Sequence, residues 1–90
     1  MNCMSNLKEV LNKLIAEPND SNKFIKIEDF REMLVKLWRI EHPNIKRGIQ
    51  TYESFGYILH RICFDNVSFD ELRYECYGEY FDWFIMKFGN

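Results

Sequence analysis

Apolar residues recur along this chain at intervals of three and four, the spacing of a helix face, and no segment shows the strict alternation of a half-buried strand. The spacing predicts four helices. The first runs from about Asn6 to Glu17, with Leu7, Val10, Leu11, Leu14 and Ile15 on one side. Ser5 stands where an N-cap is expected, and Pro18 stops the helix because the residue before proline is pushed out of the α region. Asn19-Asp20-Ser21-Asn22 reads as a polar turn. The second helix runs from about Ile27 to Glu41, with Ile27, Phe30, Leu34, Leu37, Trp38 and Met33 as its stripe and His42-Pro43-Asn44 at its end. The third runs from about Ile49 to Phe64, with Tyr52, Phe55, Ile58, Leu59 and Ile62 inward and Gly56 available for close approach of a neighbour. Ser68-Phe69-Asp70-Glu71 forms a capping box, with Val67 and Leu72 at the hydrophobic-staple positions, and opens a fourth helix expected to reach Phe88 with Gly89 as its C-cap. Short links force antiparallel neighbours, so the expected fold is all-α, a single small antiparallel four-helix bundle over residues 1–90.

The fourth helix departs from the usual single stripe. At 100° per residue Glu71, Glu75, Glu79 and Asp82 share one strip about 80° wide. Leu72, Cys76, Tyr80 and Trp83 line one flank, and Tyr74, Tyr77, Phe81, Ile85 and Phe88 line the other. An edge helix buries one stripe. Two flanks leave three arrangements: one flank faces a partner, both are buried with the acids in a groove, or the helix is central. Aromatics filling a small core explain part of this pattern. A binding face of tyrosines around carboxylates explains it too, because interfaces favour aromatic anchors. Asp70, Glu71, Glu75, Glu79, Asp82, Tyr74, Tyr77 and Phe81 are the candidate partner-binding residues.

Composition sharpens the reading. The 90 residues are 47% hydrophobic and 17% aromatic, with only four Gly and two Pro, which disfavours a turn-rich β-sandwich. No apolar run approaches about 18–20 residues, so no membrane span is expected, and the mixed polar start from Met1 to Ala16 does not read as a signal peptide. Residues 1–50 carry nine Lys/Arg against seven Asp/Glu, a balance of +2, whereas residues 51–90 carry three against seven, a balance of −4. The acidic half is a poor surface for nucleic acid but suits a basic protein.

Chemistry is sparse. Cys3, Cys63 and Cys76 form no C-x-x-C pair and read as reduced cytoplasmic thiols. His60 and Cys63 share a helical face that Cys76 could approach, but the local ligand pairs of a structural zinc site are missing. Neither a nucleophile pair oriented by a third group nor a phosphate-binding glycine loop stands out. No enzyme activity and no cofactor are expected. Lys46 and Arg47 alone do not make a phosphate footprint. Lys8, Lys13, Lys23, Lys26 and Lys36 alternate with acids and read as solvated surface.

The run Ile27-Glu28-Asp29-Phe30 leading to Leu34, Leu37 and Trp38, then Tyr52-Glu53-Ser54-Phe55, Ile58-Leu59 and Phe69-Asp70-Glu71-Leu72-Arg73, resembles small helical immunity proteins of the colicin-D type and of contact-dependent inhibition systems. The resemblance covers about two-thirds of the chain. It implies a cytoplasmic inhibitor that forms a heterodimer with a cognate basic toxin nuclease, often a tRNase, and occludes its active site with acidic side chains. Direct contact with nucleic acid or membrane is not implied. The alternative is another small inhibitor or adaptor, such as a phage-encoded anti-defence protein, and an orphan apolar flank would also fit a homodimer.

Overall fold

A computed structural model describes residues 3–75 and 78–89, and these form five helices with no strand among the described residues. They are α1 (Cys3–Ala16), α2 (Ser21–Glu41), α3 (Gly48–Cys63), α4 (Phe69–Glu75) and α5 (Glu79–Phe88). The all-helical class is as expected. The boundaries differ in three places, each for a local reason.

The helix α1 begins before Ser5, so Ser5 lies inside it and is not its cap. The start of α2 is at Ser21, well ahead of Ile27. Asp20 is extended (φ −151°, ψ 179°), and its carboxylate accepts the Lys23 N–H at 2.8 Å, which is N-cap geometry. The polar run from Asn19 to Asn22 is therefore a cap and a first turn. The third difference is the expected last helix, which is two helices. Gly78 takes φ +119° and ψ 174°, a region open essentially to glycine alone, and α5 restarts beyond it.

The core is built around α3, which contacts each of the other four helices. Phe55, Leu59 and Cys63 on α3 are wholly buried. Trp38 of α2 meets Phe55 edge-on at 6.1 Å and Trp83 of α5 edge-on at 5.5 Å, and Phe55 meets Tyr80 of α5 edge-on at 5.6 Å. Such tilted contacts set positive ring edges against negative faces. The Thr51 hydroxyl and the Tyr80 phenol, 2.8 Å apart, satisfy each other in the interior. Glu41 ties α5 to α2 by accepting from Trp83 Nε1 at 3.2 Å and Lys87 Nζ at 2.9 Å.

Gly56 does admit a close approach, though by a side chain. The Arg31 guanidinium lies over it, 3.5 Å from the centre of the Tyr52 ring, and pairs with Glu28 at 3.0 Å. Glu28 also accepts the Tyr52 hydroxyl at 2.8 Å. A Cβ at position 56 would occupy the space of that guanidinium.

Lys23 overturns the expectation of a solvated lysine: it is 1% exposed. Its ammonium donates to the Glu17 carbonyl at 2.8 Å, to Asn19 Oδ1 at 3.0 Å and to the Cys63 carbonyl. Two of these acceptors are backbone oxygens at the C-terminal ends of α1 and α3, where a cation is favoured. Lys23→Met keeps most of the aliphatic stem and removes all three bonds. It should lower the unfolding free energy by about 2–4 kcal/mol, read from urea denaturation. Gly78→Ala meets no neighbouring atom, so its cost is backbone strain alone, expected as a loss of about 1–3 kcal/mol in the same measurement.

Candidate functional site

The break at Gly78 redistributes the acidic strip. Glu71 and Glu75 belong to α4, and Glu79 and Asp82 belong to α5, so the four carboxylates do not share one continuous helix face. The two apolar flanks do not stay apart: α5 buries Tyr80 and Trp83 from one together with Phe81 and Phe88 from the other. Leu72 of α4 is fully buried, and Tyr80, Phe81, Trp83, Phe84 and Phe88 of α5 are buried. Phe81, expected to face a partner, is 5% exposed and lies in the core. Tyr77 and Cys76 lie outside the described residues.

The remaining candidates divide by their partners. Arg61 of α3 grips Glu75 through two bonds, Nε to Oε2 at 2.9 Å and Nη2 to Oε1 at 2.6 Å, and reaches Asp65 at 2.8 Å with Nη1. Glu79 pairs with Arg47. These two carboxylates therefore tie the last two helices to the rest of the chain. Asp70 is nearly free, 3.8 Å from Arg73, with its side chain 87% exposed. Glu71 and Asp82 are exposed and, among the described residues, carry no ion pair. Tyr74 is 83% exposed. The Ser68 hydroxyl accepts the Glu71 N–H at 3.1 Å, as the capping box predicts, and fixes the start of α4. Asp70, Glu71 and Tyr74 are thus displayed on a seven-residue helix anchored through Leu72 and half-buried Phe69.

Two residues on α3 share a cleft with Glu75, the last residue of α4. Glu53 and Tyr57 line a cleft of about 380 Å³ together with Ser54, Glu75, Tyr80 and Phe81. Glu53 is exposed without an ion pair among the described residues, and Tyr57 is half exposed. Their spacing of four places them on one face of α3. That signal was present in the sequence, but it lies on a helix read only for its buried side.

The possible metal or nucleophile set does not assemble from the described atoms. His60 is exposed and sits 3.6 Å from Asp65, whereas Cys63 is buried in the core. Burial pushes the Cys63 thiol up to about 11, only partly offset by nearby Lys23, so it is held in the unreactive thiol form.

The ion pairs have a pH signature. Hydrogen bonding to Arg61 holds the Glu75 carboxyl below its usual value. Burial pushes Glu41 up, but its bonds to Lys87 and Trp83 outweigh this and hold it below the usual value. A carboxyl lowered in the folded state stabilises it above the unfolded-state pKa, and that stabilisation disappears as pH falls through the folded-state pKa. Glu75→Gln and Glu41→Gln should each reduce the urea midpoint near neutral pH, and the difference from the wild type should shrink toward about pH 3. An unchanged difference across that range would break the assignment.

No known protein family, no curated protein and no solved structure matches this chain, so its functional reading rests on its own side chains.

Proposed function

We propose that this protein is a cytoplasmic immunity-type inhibitor that binds a basic toxin nuclease as a heterodimer and covers its active site. In this reading the chain is an antiparallel bundle in which α4 and α5 together take the place of the fourth helix. Asp70, Glu71 and Tyr74 on α4, with Glu53 and Tyr57 across the cleft, meet the nuclease. Glu75 and Glu79 position that surface through Arg61 and Arg47. Asp82 adds negative potential from α5.

The observation that supports the reading is the separation of roles among neighbouring acids. Some are neutralised by arginines from within the chain, and others stand exposed beside an 83% exposed tyrosine. Free carboxylates around aromatic contact area are complementary to a cleft built to hold phosphates. Rim charge of this kind acts mainly on encounter rate and on salt dependence.

The test is capture from host extract at low salt, followed by titration of the purified protein against any retained nuclease. Stoichiometric inhibition that weakens with added salt is expected. Asp70→Lys combined with Glu71→Lys and Tyr74→Ala should raise Kd at least about tenfold with the helical circular dichroism unchanged. A nuclease that stays active in the presence of excess protein, or a triple variant that binds like the wild type, would sink the proposal. A retained polymerase or signalling protein, inhibited in its place, would identify the chain as an adaptor or anti-defence inhibitor.

A further inference from the structure

The α1–α2 pair carries a groove of about 300 Å³ between its two helices. Val10, Lys13 and Leu14 line it from α1, Glu17 from just beyond, and Lys26, Asp29, Phe30 and Met33 from α2. Leu14 and Phe30 are buried and form its floor, whereas Val10 and Met33 are exposed on its rims. Two cations stand against two acids, so the groove is neutral overall and favours neither a basic nor an acidic partner.

Its rims match position by position. The two helices are joined by only residues 17–20 and run antiparallel. At one end Glu17 pairs with Lys26 at 2.6 Å. The register set by that pair puts Lys13 opposite Asp29 one turn further on, and Val10 opposite Met33 a turn beyond. Lys13 and Asp29 are exposed and have no ion pair among the described residues. One rim therefore reads apolar, positive, negative, and the facing rim reads apolar, negative, positive. The surface complementary to this ladder is the same ladder turned over.

A two-fold axis lying along the groove lays α1 of one copy on α2 of the other. It sets Val10 on Met33 and Lys13 on Asp29, each twice, and brings the two Glu17–Lys26 pairs together with opposite signs facing. An axis across the groove would lay α1 on α1, with Lys13 on Lys13 and Asp29 on Asp29, which is repulsive. We infer that two copies of this chain associate through the α1–α2 groove, with the two-fold axis along it. The α1 helix has 14 residues. The shared face is thus about 20 Å long and two helices wide, about 400 Å² per copy, which places the dimer in the weak, reversible class. The groove shares no residue with the carboxylate surface assigned to the nuclease, so the two proposals fail separately.

The test is sedimentation equilibrium of the full chain at low salt, from about 5 μM to about 1 mM. The mean mass should climb from one chain toward two, with a Kd of about 10–500 μM that rises with added salt. Lys13→Asp and Asp29→Lys each set like charge on like at two places in the dimer. Each variant alone should self-associate at least about tenfold more weakly. Mixing the two variants restores both opposite-charge contacts, so the mixture should form a one-to-one dimer near the wild-type Kd. That rescue separates a lost interface from a damaged fold. A chain that stays monomeric to about 1 mM would overturn the inference and leave the groove to another protein. A dimer that both variants leave unchanged, or a mixture no tighter than its components, would overturn it too.

Discussion

One buried ammonium sets the frame of this protein. Removing a cation from water costs several kcal/mol even after relaxation, and an unsatisfied one in the core would unfold a domain this small. Lys23 has no carboxylate partner among the described residues. It is compensated by oxygens from the end of α1, from the α1–α2 link and from the end of α3. The compensation works only if these three segments meet at one point. The Asp20 cap turns Lys23 inward in the first turn of α2, and Asn19 donates to the Phe64 carbonyl at 3.2 Å from the same link. The polar stretch between the first two helices therefore closes the C-terminal end of α3. Every other helix packs on α3, so the position of the whole core follows from this one satisfied charge.

The aromatic cluster supplies the second constraint, and it explains why the last helix is broken. Trp38 and Phe55 present a site for Tyr80 and Trp83, reached when α5 sets off in a new direction at Gly78. A straight helix from Ser68 to Phe88 would carry apolar residues on two sides of an acidic strip. Breaking it gives each half its own inward face, Leu72 in one and Phe81, Trp83 and Phe84 in the other. On an unbroken 100° projection the two flanks fit a partner face, a groove or a central helix, and the turn at Gly78 removes the continuous geometry that this projection presumes.

What was legible in the sequence was therefore whatever depends on local spacing. The helical stripes of α1, α2 and α3, apart from Val10, Met33 and Tyr52, which are exposed, the stop before Pro18 and the Ser68 cap all follow from residues within a few positions of one another. What was not legible depends on long-range partners. Lys23 looks like its neighbours Lys8 and Lys26 until the Cys63 carbonyl, 40 residues away, is brought to it. Glu75 and Glu79 look like free acids until α3 and the turn before it deliver Arg61 and Arg47. Phe81 and Tyr74 have equal claims to a partner face until the break at Gly78 buries one and exposes the other.

The same contrast bears on the carboxylate surface. A helix of seven residues is not stable alone, because nucleation costs more than one or two turns return. The anchors of α4 are Leu72, half-buried Phe69, which meets Phe84 at 6.0 Å, and the two-pronged grip of Arg61 on Glu75. An exposed ion pair of this kind adds only a modest increment to global stability, the increment that the Glu75→Gln midpoint reads. Its effect here is also local, holding α4 in the one orientation that turns Asp70, Glu71 and Tyr74 outward together. A surface ordered before a partner arrives spares the complex that ordering cost. Glu75, which the sequence places in the same strip as the proposed contact acids, serves that surface best by pairing with Arg61 of α3.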